Sequence, residues 1–195
     1  AKLFSKTALE VCEGQQYDVD FETRDDVSLS EYINMIDYKT AVLVGASMKM
    51  GAMVAEASAV CQENIYEFGR NLGIAFQLQD DYLDAFGNPE NFGKQLGGDI
   101  ITNKKTILYL LAMEKATACQ INELSGLYSI QPENPSDKIR NVMSIFESSG
   151  AAQLTRKEIE KYTQKANDVL DQIGISSENK KVLRDFGDYL MKRTI

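Results

Sequence analysis

The chain has 195 residues, 29 acidic and 21 basic, with a formal net charge of -8 and no histidine; 44% of it is hydrophobic and 26% charged. The length suits one domain, the lack of histidine excludes Ser-His-Asp and Cys-His mechanisms and most zinc enzymes, and the acidic balance opposes nucleic-acid binding. No apolar run reaches the ~18 residues of a membrane span and no signal-peptide pattern opens the chain, while Cys12, Cys61 and Cys119 form no CxxC pair, as expected of reduced thiols in a cytoplasm.

Helix formers dominate and proline is rare, so the sequence predicts an all-α chain forming one domain over residues 1–195. A first helix is expected from about Ala1 to Val19, interrupted at Gly14; only Tyr17 to Phe21 alternates like a strand. Ser28-Leu29-Ser30-Glu31 is a capping box that opens a second helix, expected to run to roughly Ala46 and to continue past Gly51. A third helix spans about Gln62 to Ala85 and stops at Gly87-Asn88-Pro89. Gly87 to Asn103 reads as a long glycine-bearing loop, of the kind that is functional or disordered in compact domains. Further helices are expected over about Lys104 to Leu124, from a cap at Ser136 to Ser148, over about Ala151 to Ile173, and from Ser176-Ser177 to Lys192.

The segment with the most chemistry is Phe76-Gln77-Leu78-Gln79-Asp80-Asp81-Tyr82-Leu83-Asp84. Helical spacing brings Gln77, Asp80, Asp81 and Asp84 within one arc of a helix face. Three carboxylates there repel one another, and they lie in the last turns, where the helix dipole disfavours anions. A bound cation would relieve both costs, and hard oxygen ligands without competing imidazole or thiolate suit Mg²⁺ or Mn²⁺. The plainer reading is a solvated acidic face, against which stand the apolar flanks Phe76, Leu78, Leu83 and Phe86. Lys94, Lys104 and Lys105 follow and suit a diphosphate, although each alone is an ordinary surface lysine. On the second helix, Lys39 and Thr40 precede the apolar run Ala41 to Val44, at the edge of a core.

In order along the chain, Gly14-Gln15 with Asp18, Lys39-Thr40, Gly73 through Asp84, and Gly93-Lys94 through Asp99-Ile100 to Lys104 resemble the GQ segment, the KT pair, the second aspartate-rich motif and the GK…DI…NK loop of the trans-isoprenyl diphosphate synthases, or polyprenyl synthetases. The resemblance covers most of Gly14 to Leu111 and more loosely the helical tail. It implies a helical bundle of the isoprenoid synthase type and head-to-tail transfer of an allylic group from its diphosphate to isopentenyl diphosphate. It further implies Mg²⁺ (or Mn²⁺) at Asp80, Asp81 and Asp84, diphosphate contacts from Lys39, Lys94 and Lys104, cation-stabilising dipoles at Thr40, Gln77 and the Lys39 carbonyl, and substrate binding by Gln15 and Asp18. The family's first aspartate-rich motif and its arginine pair are not in this sequence, which resembles only the C-terminal part of a member, somewhat more than half. The expectation is therefore a chain inactive alone and a homodimer that covers exposed apolar surface. A non-catalytic diphosphate-binding homologue or subunit, and a helical scaffold that merely binds divalent cations, remain open alternatives.

Overall fold

The structure is a computed structural model and describes residues 1–88 and 96–192. Helix α1 (Lys2–Thr23) runs through Gly14 and past Val19 without a break. The short alternation at Tyr17 to Phe21 is overridden by the helical pattern before it, which leaves Tyr17 and Val19 exposed and buries Phe21. The capping box forms as predicted and opens α2 (Leu29–Ile36). The Ser28 hydroxyl accepts from the Glu31 amide at 3.2 Å, and the Glu31 carboxylate accepts from the Ser28 amide at 2.9 Å. The Ser28 amide, then its hydroxyl and Arg24, hold the Glu31 carboxyl below the usual range.

The expected long second helix is not uniform. Asp37–Ala41 is a π-helical segment, and α3 (Val42–Val54) resumes after it. Helix α4 (Ala59–Phe86) is the longest element described, and its end lies within a residue of the expected one, where the Gly87 amide donates to the Leu83 carbonyl. Within the segment read as loop, Gly98–Ile101 is a single helical turn, α5, between Gly97 at φ 75° and Asn103 at φ 60°. The expected helix from Lys104 to Leu124 is two helices, α6 (Ile107–Lys115) and α7 (Ala118–Leu127). A second capping box divides them: the Thr117 hydroxyl accepts from the Gln120 amide, and the Gln120 side chain accepts from the Thr117 amide at 3.0 Å. Helix α8 (Ser136–Ser148) follows, with Pro135 rather than Ser136 at its cap. Then come α9 (Ala151–Gln172) and α10 (Ser177–Met191), the latter capped by Ser176. No strand occurs among the described residues, and none of their helices is long and apolar enough to cross a membrane.

The chain divides into two compact units. The first comprises residues 1–20, 33–77 and 159–192. Its core joins Ile65, Phe68 and Leu72 of α4 to Ala166 and Leu170 of α9 and to Ile173. Three glycines let its helices meet backbone to backbone. A Cβ at Gly14 would lie 2.3 Å from the Lys39 nitrogen, one at Gly73 would lie 2.6 Å from the Ala41 Cα, and one at Gly45 would lie 2.8 Å from the Tyr66 carbonyl. The second unit comprises residues 21–32 and 78–158. Leu78 and Leu83 of α4, Ile107 and Leu108 of α6, Leu124 of α7 and Phe146 of α8 are buried within it.

The glycine contacts separate two kinds of substitution. Gly14→Ala should lower the denaturation free energy by about 1–3 kcal/mol, the cost of overpacking. Gly51→Ala, whose Cβ meets nothing within 4 Å, should leave it unchanged or raise it by up to ~1 kcal/mol. Equal denaturant midpoints for the two variants would contradict the close approach at Gly14.

Candidate active site

In the first unit the π-helical segment holds Lys39 and Thr40. Asp18 stands one turn after Gly14 on α1, and its carboxylate accepts from the Lys39 ammonium at 2.5 Å, with both side chains partly buried. The Thr40 hydroxyl donates to the Gln77 amide oxygen at 3.2 Å. Two pairs of residues that the sequence placed far apart are thus in contact. Gln15 is exposed on α1. Sequence reasoning passed over Asp37 and Arg70: the Asp37 carboxylate is buried and accepts from the Arg70 Nε at 2.7 Å and from its Nη2. The partners are 33 residues apart, and no local pattern marks them.

Helix α4 continues from Gln77 into the second unit, where it carries the three aspartates. They take different partners. Asp80 is half-buried. Asp81 is only 3% exposed, and its carboxylate accepts from the Tyr32 phenol. The Asp84 carboxylate accepts from the Asp99 amide at 3.0 Å, and its backbone carbonyl accepts from the Gly97 amide. Among the described residues no three Cys, Asp or Glu side chains are grouped so as to hold a metal ion. Asp80 and Asp84, one helical turn apart, still offer the hard oxygens that Mg²⁺ or Mn²⁺ selects, so the donor chemistry fits such an ion. The Tyr32 phenol takes one of the two carboxylate oxygens of Asp81.

Lys104 is partly buried, and its amide donates to the Asp99 carbonyl. Lys105 donates to the Arg24 carbonyl and, at 2.9 Å, to the Asp25 carboxylate. Lys94 lies outside the described residues. A lysine that the sequence reading missed lies behind this segment: Lys138 of α8 is 3% exposed, and its ammonium donates to Asn103 Oδ1 and to the Ile130 carbonyl at 2.9 Å. Burial pushes its pKa down. Its spacing from Val142, Ile145 and Phe146 puts it on the core face of α8, which was the available signal.

Residues 1–146 match the family model described as polyprenyl synthetase. The chain belongs to the polyprenyl synthetase family. It is 34% identical to the geranylfarnesyl diphosphate synthase of Aeropyrum pernix over 193 residues, which is 98% of this chain and 59% of that protein. A crystal structure of a geranylgeranyl pyrophosphate synthase matches with a TM-score of 0.93 at 52% identity, over 100% of this chain and 60% of the other. A Corynebacterium glutamicum geranylgeranyl pyrophosphate synthase, described as complexed with isoprenyl diphosphate and magnesium, matches with a TM-score of 0.90 at 26% identity, over 98% of this chain and 54% of the other. This polyprenyl synthetase chain thus spans between half and two thirds of the length of these relatives. Its all-α architecture is that of the isoprenyl synthases, and the family uses divalent cations in catalysis.

The Tyr32 contact makes a stability prediction for this polyprenyl synthetase. Tyr32→Phe removes a donor from a buried carboxylate and should cost about 1–3 kcal/mol, with partial recovery in the double variant Tyr32→Phe/Asp81→Asn. Denaturant unfolding checks it; a loss in the double variant equal to the sum of the two single losses would show that the two side chains do not interact.

Proposed function

We propose that this chain serves a prenyltransferase that condenses isopentenyl diphosphate head-to-tail with an allylic diphosphate in isoprenoid biosynthesis. The observation that carries the reading is the pairing of Lys39 with Asp18 and of Thr40 with Gln77 on one π-helical segment. It joins three of the four sequence landmarks in a chain whose relatives are isoprenyl diphosphate synthases. One of those relatives is described with isoprenyl diphosphate and magnesium, in line with Mg²⁺ (or Mn²⁺) and diphosphate as ligands here.

In this reading Asp80 and Asp84 hold the cation, with Asp81 in support. The bound Mg²⁺ supplies charge neutralisation for the departing diphosphate. Lys39, Lys94 and Lys104 donate charge-assisted hydrogen bonds to the diphosphate oxygens. As the allylic carbon–oxygen bond breaks, its electron pair leaves with diphosphate, and the carbon that remains needs negative dipoles nearby. The proton of Thr40 is engaged by Gln77, so the lone pairs of its hydroxyl are what is left to face a cation. The Gln77 oxygen and the Lys39 carbonyl add to them. The double bond of isopentenyl diphosphate then forms the new carbon–carbon bond, and the released diphosphate takes the proton that is lost, so no histidine is needed. Gln15 and Asp18 belong to the substrate-binding residues, Asp18 through its hold on Lys39. A homodimer in the cytoplasm completes the reading. It is supported by free Cys12, Cys61 and Cys119 and by apolar surface at Phe4, Leu9, Leu43 and Met50 that a second copy would cover.

Calorimetry with Mg²⁺ and inorganic diphosphate tests the reading on this chain. The two should bind together, and neither should bind tightly alone. Asp80→Asn should abolish the Mg²⁺ dependence, and Lys39→Met should weaken diphosphate binding by about 1.5–3 kcal/mol, as for a charged hydrogen bond. Diphosphate heats that are the same with and without Mg²⁺ would sink the reading, leaving a cation-binding scaffold or a surface of unrelated use.

A further inference from the structure

The π-helical segment is held from two sides within the first unit. On α4, residues 70, 73 and 77 follow the i, i+3, i+7 spacing of one helix face. Each meets a different residue of the segment: Arg70 binds Asp37, Gly73 lies against Ala41, and Gln77 accepts from Thr40. On α1, Gly14 and Asp18 are one turn apart and meet the backbone and the ammonium of Lys39. Of these contacts, only the one between Asp37 and Arg70 involves no residue of the sequence landmarks. It fixes the first residue of the segment, as Ala41 against Gly73 fixes the last.

A π-helical turn inside a helix is rare, and such turns occur frequently at functional sites. Moving the extra residue along the chain by one position turns the side chains it passes by about 100° around the helix axis. Lys39 and Thr40 would then leave Asp18 and Gln77. A buried ion pair is a poor source of stability, since apolar residues of similar volume often do as well or better. What a two-point guanidinium–carboxylate contact adds is fixed geometry. From this we infer that Asp37 and Arg70 are positioning residues: their pairing fixes the register of the Asp37–Ala41 segment and thereby keeps the Lys39 ammonium aimed for diphosphate binding and Thr40 in contact with Gln77. The inference rests on the proposed function for its ligand, but not for its structural part.

Two variants test it. Asp37→Leu/Arg70→Met replaces the pair by apolar groups, and Arg70→Lys keeps the charge but loses the two-point geometry. Three quantities are read on each: the denaturation midpoint, hydrogen exchange of the peptides covering 37–42, and the affinity for inorganic diphosphate with Mg²⁺. The apolar pair should unfold within a few degrees of the parent chain. Exchange at 37–42 should rise by about tenfold or more, as for a local opening made easier, with α9 unchanged. Diphosphate affinity should fall by about tenfold or more, on the scale of losing one charged hydrogen bond. Arg70→Lys should show the same local rise in exchange without recovering affinity. Parent-like exchange at 37–42 in a folded apolar pair overturns the inference. If that variant fails to fold, parent-like exchange in Arg70→Lys overturns it equally. A parent chain that binds no diphosphate, together with raised local exchange in the variants, upholds the register role and defeats the proposed function. A parent chain that binds diphosphate, with variants that bind it as tightly, defeats the positioning role and leaves the function standing.

Discussion

Backbone lies against backbone at the π-helical segment, and a Cβ at position 14 or 73 would overlap main chain there. A Cβ at Gly14 would fall 2.3 Å from the Lys39 nitrogen, which no rotamer change can relieve because the obstacle is main chain. The rest of the first unit is organised around that approach. It sets the distance from α1 at which Asp18 reaches Lys39, and the distance from α4 at which Gln77 reaches Thr40. Helix propensity argues against glycine at both positions by up to ~1 kcal/mol each, so packing outweighs propensity here. A helix that widens by one residue opposite two such contacts is a local answer to close packing. Asp37–Ala41 joins α2 to α3 with right-handed helical backbone on both sides, at Ile36 and at Val42.

Contacts of two kinds hold four of the aspartates discussed above. Asp18 and Asp37 meet cations, Lys39 and Arg70, and both pairs belong to the first unit. In the second unit Asp81 meets the Tyr32 phenol and Asp84 the Asp99 amide, donors that carry no charge of their own. The difference matters for orientation more than for strength. The phenol takes one of the two carboxylate oxygens of Asp81, and the backbone amide takes one of Asp84's, so each donor helps to set how its carboxylate is turned. Three aspartates at helical spacing are not by spacing alone a three-ligand cluster. Spacing fixes where the side chains start, and the surrounding donors fix where their oxygens end.

Much of the fold was legible because it is local. The capping box at Ser28, the end of α4 near Ala85 and the start of the last helix after Ser176 are set by a few adjacent residues, and all three occur as read. The alternation at Tyr17 to Phe21 forms no strand, because five residues at the end of a long helix are outweighed by the pattern before them, and α1 runs on to Thr23 rather than ending near Val19. The break at Thr117 carried its own signal, a threonine three residues ahead of a glutamine, hidden inside an apolar stretch that reads as one helix. The π-helical segment could not be read at all, since one extra residue leaves composition unchanged and shifts the helical phase within too few residues to stand out from the flanking pattern. The same holds for the site. Lys39, Thr40, Gln77 and Asp18 were found through the resemblance, whereas Tyr32 and Arg70 act on partners 49 and 33 residues away and leave no local trace.

The contact of Lys39 with Asp18 changes what its charge can contribute. A partly buried ammonium without a partner would lose hydration that nothing replaces. Asp18 supplies the replacement at rest and also restricts the four-carbon stem, so the side chain is already ordered before any anion arrives. An incoming diphosphate then either shares the ammonium with Asp18 or displaces the carboxylate. In the first case the three protons of the ammonium serve both anions, the repulsion between carboxylate and diphosphate opposes binding, and a nearby divalent cation offsets it. In the second case the gain is only the difference between two charge-assisted contacts, and Asp18 loses its ion pair with Lys39. Either way the lysine contributes less affinity than an isolated charge count suggests, and its value lies in being held where Thr40, the next residue on the same π-helical turn, is held as well.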